Sequence, residues 1–152
     1  MAIFNNIIFV CVDNTCQSPV AAAIMKKICR IPDMKIRSRG LICLFPEPYN
    51  PKATALLRSN GIVLENGVSK ALEEEDFSSD TLVLAMDEDL KGKILSRFPE
   101  AQNVRTIIEF AGGDGHIADP YGEDMEGYVK FFESINKWIE IIENKLYTME
   151  EK

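Results

Sequence analysis

The sequence predicts an open, doubly wound α/β fold: a four-stranded parallel sheet with helices on both faces, built as one domain over residues 1–152. Three observations carry this. Short Ile/Val/Leu-rich runs alternate with longer segments of helical periodicity. The first apolar run shows no polar alternation, as a strand buried on both faces requires. No repeat, linker or low-complexity tract divides the chain, so the alternation belongs to one layered core.

Asn6–Val12 reads as the first, central strand. Asp13 to Pro19 breaks it, with Ser18 suited to an N-cap and Pro19 to a first helical turn, and Val20–Arg30 continues at helical spacing. Met34–Arg39 is a second strand ended by Gly40. Asn50-Pro51 opens a helix through Ser59, which Asn60-Gly61 stops. Glu73–Asp76 reads as a solvated helix face leading to a strand over Thr81–Ala85. Asp87 caps a helix to Arg97, and Val104–Ile108 is a fourth strand. A Gly-rich loop over residues 111–123 precedes a long helix from Glu126 to Tyr147, with Trp138, Ile139, Ile142 and Leu146 on its buried side.

Composition removes whole classes of function. The 152 residues are 46% hydrophobic and 27% charged, a globular composition. Seventeen basic against 24 acidic side chains give a net charge of −7, which argues against nucleic acid as a partner and against anionic membrane surfaces. The longest apolar run, Ile7–Val12, falls far short of the about 20 residues of a bilayer span. Met1–Asn6 lacks the pattern of a signal peptide, so a cytoplasmic location is expected. Cys11, Cys16, Cys29 and Cys43 form no C-x-x-C pair, and His116 is the sole histidine. Neither structural disulfides nor a metal site is expected, and no cofactor is called for. Cys29 and Cys43 read as buried bystanders.

In open α/β sheets ligands bind beyond the carboxyl ends of the strands, which directs attention to Cys11-Val12-Asp13-Asn14-Thr15-Cys16-Gln17-Ser18. The loop feeds a helix N-terminus, where free N–H groups and the dipole favour an anion and lower the pKa of a nearby thiol. On spacing alone, Cys11 is equally a nucleophile or a small hydrophobe finishing a strand. Asp119-Pro120-Tyr121 closes the Gly-rich loop. Pro120 turns Asp119 away from helix, and its carboxylate is a candidate general acid as well as an ordinary turn residue. Gly112-Gly113-Asp114-Gly115 opens no helix and is read as acid-loop flexibility rather than a nucleotide loop.

These segments resemble the low-molecular-weight protein-tyrosine phosphatases. That family carries C-x5-R-[ST] after its first strand and an Asp-Pro-aromatic loop before its last helix. The matches here are Phe9-Val10-Cys11, Asn14, Cys16, Ser18-Pro19, Ala21, Ser38-Arg39-Gly40, Met86-Asp87 and Asp119-Pro120-Tyr121, in order along essentially the whole chain. A thioredoxin-coupled arsenate reductase shares the fold but needs redox cysteines late in the chain, and none follows Cys43. The resemblance implies hydrolysis of a phosphotyrosine protein or a small phosphomonoester, with a tyrosine kinase as the possible counterpart. Cys11 would form a cysteinyl-phosphate, Asp119 would protonate the leaving group and then activate water, and Ser18 would stabilise the departing thiolate. Val12, Asp13, Asn14, Thr15, Cys16 and Gln17 would form the phosphate loop, with Asn14 holding its shape. Cys16 would pair reversibly with Cys11 under oxidation. Phe45, Tyr49 and Tyr121 would wall the substrate cleft, with plain surface packing as the alternative for Phe45 and Tyr49.

The departures from the family pattern fall on the anion clamp. Gln17 stands where the motif has arginine, which removes a cationic fork for two phosphate oxygens. Asp13 replaces a small residue and adds a carboxylate beside the anion site. Gly67 stands where many members carry a buttressing histidine, and Gly122 where a second aromatic is common. Three readings stay open at this point: a weak phosphatase with a cation such as Arg39 compensating, a pseudophosphatase that binds phosphotyrosine or another oxyanion, and a Cys11/Cys16 redox module.

Overall fold

The computed structural model describes residues 4–64 and 67–150. The signal-peptide reading of Met1–Asn6 therefore falls, at residues 1–3, outside the described residues. The strands β1 (Asn6–Cys11), β2 (Lys35–Gly40), β3 (Thr81–Ala85) and β4 (Val104–Thr106) form one sheet in the order β2-β1-β3-β4, every pair parallel. Five helices connect and follow them: α1 (Gln17–Ile28), α2 (Pro51–Ser59), α3 (Glu88–Arg97), α4 (Ile107–Ala111) and α5 (Met125–Glu150).

The strand order dictates where a ligand can go. From β1 the chain steps one way to β2, then returns to the other side of β1 at β3 and continues outward to β4. Right-handed crossovers in opposite directions place α1 and α3 on opposite faces. The carboxyl end of β1 is the point of reversal, and Cys11 is its last residue.

Burial explains why these segments are strands and helices. Ile7, Ile8, Phe9 and Val10 are wholly inaccessible, and so are Val83, Leu84 and Ala85 beside them. A strand with both faces covered has no solvent side, hence the continuous apolar runs. The α5 stripe holds as expected for Ile139, Ile142 and Leu146, while Trp138 is half-buried.

Several boundaries differ from the sequence reading, each for a local reason. The helix α1 starts at Gln17, not Val20, and the cap position is Cys16, with no side-chain bond; Ser18 lies within the first turn, its hydroxyl 2.9 Å from the Cys11 thiol. The strand β4 stops at Thr106 rather than Ile108. There Thr106 Oγ1 accepts from Glu109 N at 2.9 Å while the Glu109 carboxylate accepts from Thr106 N at 3.2 Å, a reciprocal box that starts α4. Glu73–Asp76 is not a solvated helix face. It forms a single 3-10 turn over Glu74–Asp76, and Asp76 is buried with its carboxylate 3.4 Å from Arg39 Nε. Cys29 and Cys43 are half-buried rather than buried: Cys29 packs against the edge of the core, and Cys43 Sγ lies 3.4 Å from Asp13 O.

Candidate active site

The loop from Cys11 to Ser18 is built on backbone contacts that only certain residues permit. Asn14 holds φ 61°, a left-handed conformation that asparagine tolerates better than most residues. Its side chain is buried and used on both ends. Asn14 Nδ2 donates to Ser18 Oγ at 2.8 Å and to Ser38 Oγ at 2.9 Å, and its Oδ1 accepts from Lys70 N at 2.9 Å. Gly40, paired with Cys11 across the sheet, lets the loop lie down on β2. A Cβ there would stand 2.8 Å from the Asp13 carbonyl carbon and 2.9 Å from Asn14 N.

This frame aims its polar groups at one sulfur. Cys11 Sγ lies 2.9 Å from Ser18 Oγ and accepts from Asn14 N at 3.3 Å. Because Asn14 already donates to Ser18, the hydroxyl proton is free to point at a thiolate on Cys11 or at Arg39 O, 3.3 Å away. Asn50, foreseen only as the cap of α2, also ties the loop down. Its N–H donates to Thr15 O at 2.7 Å and its Nδ2 to Tyr128 Oη at 2.9 Å, joining loop, α2 and α5. Gly40, Asn50 and Tyr128 were thus missed as supports. Their signal in the sequence is faint: a glycine at a strand end, a cap, and a tyrosine on an otherwise apolar helix face.

The acid loop closes on this frame from the far end of the chain. Gln17 Nε2 donates to Ala118 O at 3.4 Å across 101 positions of sequence, which brings the Asp119 loop to the Cys11–Ser18 loop. Asp119 is exposed, and its Oδ1 accepts from Tyr121 N at 3.0 Å, which fixes the turn at Pro120. A buried thiol cradled by a serine hydroxyl and a loop N–H, with a carboxylate loop docked beside it, suits covalent phosphoryl transfer. A family model described as low molecular weight phosphotyrosine protein phosphatase matches residues 6–150.

The chain belongs to that family.

Its relatives include a protein-arginine-phosphatase of Geobacillus stearothermophilus, 35% identical over 144 residues, spanning 93% of this chain and 96% of the relative. The low molecular weight protein-tyrosine-phosphatase PtpB of Staphylococcus haemolyticus is 33% identical over 129 residues, 85% of this chain and 91% of its own. Among solved structures, the Geobacillus YwlE arginine phosphatase aligns with TM-score 0.88 at 34% identity, over 95% of this chain and 94% of that one. A low molecular weight protein tyrosine phosphatase from Bacillus subtilis aligns with TM-score 0.84 at 32% identity, over 97% and 99%.

In this low molecular weight phosphatase the anion clamp is occupied by the protein itself. The neutral Gln17 amide is spent on the Ala118 carbonyl. The Asp13 carboxylate accepts from Thr15 N at 3.1 Å and from Thr15 Oγ1 at 3.0 Å, taking up two donors of the loop. Arg39 does not stand in for the missing guanidinium. It is buried, its NH1 donates to Ser38 O at 2.8 Å, and its Nε faces Asp76.

The electrostatics of the thiols follow. A lowered pKa at Cys11 is the expectation from a helix N-terminus, and the structure reverses it. Burial pushes the Cys11 thiol above its ordinary value; the Ser18 and Asn14 hydrogen bonds pull the other way, and Asp13 adds to the rise. No cation contributes, since the position that would supply one is Gln17. Cys16, also buried, is pushed up to about 12, first by burial and then by the charge of Cys11. Both thiols are free.

The cleft residues separate. Phe45 is two-thirds exposed and lines a shallow hollow beside Asp13, and Tyr121 is more exposed still. Tyr49 lies elsewhere: its ring packs over Gly67 and lines a cavity against α1 and β2. Val12 is exposed at the loop crest. His116 is exposed on the acid loop. Among the described residues, no helix is long and apolar enough to cross a membrane.

Proposed function

We propose that this chain hydrolyses phosphomonoesters on protein side chains by two displacements at Cys11, at a rate lowered by Gln17. The observation that carries this is the Cys11–Ser18–Asn14 cradle with the Asp119 loop docked on it. In the first step Cys11 Sγ bonds to phosphorus, the bond to the leaving oxygen breaks, and Asp119 gives that oxygen its proton. In the second step Asp119 takes a proton from water, the water oxygen bonds to phosphorus, and the sulfur leaves as a thiolate. Ser18 Oγ donates to that thiolate. No metal or organic cofactor enters these steps.

Losing a charge-assisted, bidentate contact to the equatorial oxygens removes on the order of 3–5 kcal/mol of transition-state stabilisation, about 10²- to 10⁴-fold in rate. Backbone N–H groups and the helix α1 N-terminus remain as the anion's partners. A second substrate reading, phosphoarginine, has its own support. One relative is a protein-arginine-phosphatase, and the exposed carboxylates of Asp13 and Asp119 flank the loop, suited to a guanidinium leaving group. The exposed rings of Phe45 and Tyr121 suit a phenolic one. A tyrosine kinase is the counterpart the phenolic reading calls for. Four free cysteines fit a reducing, cytoplasmic setting. Under peroxide, two-electron oxidation of the Cys11 and Cys16 thiols to a disulfide, with peroxide reduced to water, would protect the nucleophile.

The test is turnover of p-nitrophenyl phosphate, then of a phosphotyrosine and a phosphoarginine peptide, by the unaltered chain and Cys11→Ser. Slow turnover that Cys11→Ser abolishes supports the reading, and the two peptides assign the side chain. Oxyanion binding without turnover would replace it with a pseudophosphatase.

A further inference from the structure

The chain as a whole is acidic, with a net charge of −7, yet one cavity is strongly cationic. Beside α1 and the outer strand β2, whose end at Gly40 pairs with Ala71, lies a space of about 500 Å³. That volume is in the range of small-molecule sites. Lys26, Lys27, Arg37, Arg39 and Lys70 line it, and no described carboxylate does. Two of these cations are already engaged: Arg39 faces Asp76, and Lys27 Nζ donates to Asn60 O at 3.1 Å. Lys26, Arg37 and Lys70 form no ion pair among the described residues.

Arg37 is the decisive residue. Its Nε is inaccessible to water and has no hydrogen-bond partner. That atom is sealed from solvent and so from any ligand; what Arg37 offers the cavity is its positive charge, which no described carboxylate pairs. Nothing in the phosphatase chemistry uses it. The same cavity is also lined by Ile36 and Ile62, both buried, and by Tyr49. The cavity therefore combines positive charge with apolar and aromatic surface.

We propose that this cavity binds a small organic phosphate, with its phosphoryl groups on Lys26, Arg37 and Lys70 and an aromatic body against Ile36, Ile62 and Tyr49. A phosphoryl group carries about 1.5–2 negative charges at neutral pH, so three cations with no ion pair among the described residues suit one or two such groups. Guanidinium and ammonium donors are the usual partners of phosphate oxygens. The site is separate from the phosphate loop and meets it only at Asn14, which lines the cavity and holds Ser18 and Ser38.

The probe is adenosine 5′-diphosphate, titrated calorimetrically into the full chain and followed by amide chemical shifts. The expected result is saturable binding, at least tenfold weaker in Lys26→Gln/Arg37→Gln and, independently, in Lys70→Gln, with shifts along residues 22–27 and 35–39. Adenosine and pyrophosphate alone should each bind at least tenfold more weakly than the intact probe. Because Cys11→Ser silences turnover but leaves this cavity untouched, binding should persist in that variant, so the site stands or falls apart from the phosphatase reading. No saturable binding would overturn the proposal. So would affinity unchanged in both cationic variants, or shifts confined to residues 12–18, which would put the probe on the phosphate loop. Pyrophosphate binding as tightly as the intact probe would overturn the assignment of an organic ligand.

Discussion

The carboxylate of Asp13 accepts the backbone N–H of Thr15 at 3.1 Å, within the loop that should present its N–H groups to an incoming phosphate. An anion arriving there meets a donor already engaged and a negative charge already present. Replacing Asp13 by glycine frees that donor and removes the charge. Inhibition by vanadate should tighten about ten- to hundredfold in Asp13→Gly, the worth of one hydrogen bond to a charged group. An unchanged inhibition constant would show that the Asp13–Thr15 contact opens on its own when an anion binds.

The reactivity of Cys11 follows from its burial without a cation. With its pKa raised, the thiolate is a minor species at neutral pH, and its share grows as pH rises beyond the ordinary thiol value. Iodoacetamide trapping of Cys11, read by mass spectrometry, should therefore accelerate continuously through neutral and mildly alkaline pH. Gln17→Arg should shift that profile to lower pH. A plateau already reached near pH 7 in the unaltered chain would contradict this.

Gly40 holds a place where the backbone, not a side chain, is the obstacle. A methyl group there meets Asp13 and Asn14 main-chain atoms at 2.8 and 2.9 Å, so the loop itself has to shift. Gly40→Ala should cost about 1–3 kcal/mol in urea unfolding and displace Asn14 from Ser18. The readout is a lower urea midpoint together with faster alkylation of Cys11.

Glu109 links stability to acid. The ammonium of Lys91, 3.0 Å from its carboxylate, with the Thr106 N–H and Arg105 beside it, holds the Glu109 carboxyl down at about 2 against an ordinary 4.5. A lowered folded-state pKa means the contribution is complete above the unfolded value. It is lost as pH falls from about 4.5 through 2. The stability gap between the unaltered chain and Glu109→Gln should narrow across that window and stay constant above it. The group is part-exposed, so the gap is small.

Most of the fold was legible because both-face burial writes long apolar runs: Ile7–Val10 and Thr81–Ala85 are strands where the sequence has them. What escaped was short-range polar chemistry. Thr106 and Glu109 form a reciprocal box that converts the end of a β-like run into helix, and the Thr-x-x-Glu pattern was there to be read. Glu73–Asp76 looked like a charge run on a helix, but the partner that buries Asp76, Arg39, lies 37 positions away by numbering and leaves no local trace. At the site, Ser18 and Asn14 hydrogen-bond around Cys11, and Gln17 holds the residue before Asp119. The Tyr49 ring packs over Gly67, a contact that leaves no local trace in the sequence. The direction of the Cys11 shift was misread because a helix N-terminus argues for a low pKa only where burial does not outweigh it.

The central claim is that Gln17, on an otherwise assembled site, is the main limit on this phosphatase. The measurement that tests it most directly is p-nitrophenyl phosphate turnover, comparing the unaltered chain with Gln17→Arg across a range of pH. The predicted result is a rise in kcat/KM of about 10²- to 10⁴-fold, abolished when Cys11→Ser is added. Equal, Cys11-dependent turnover in both proteins would contradict it, as would silence in Gln17→Arg with the fold intact.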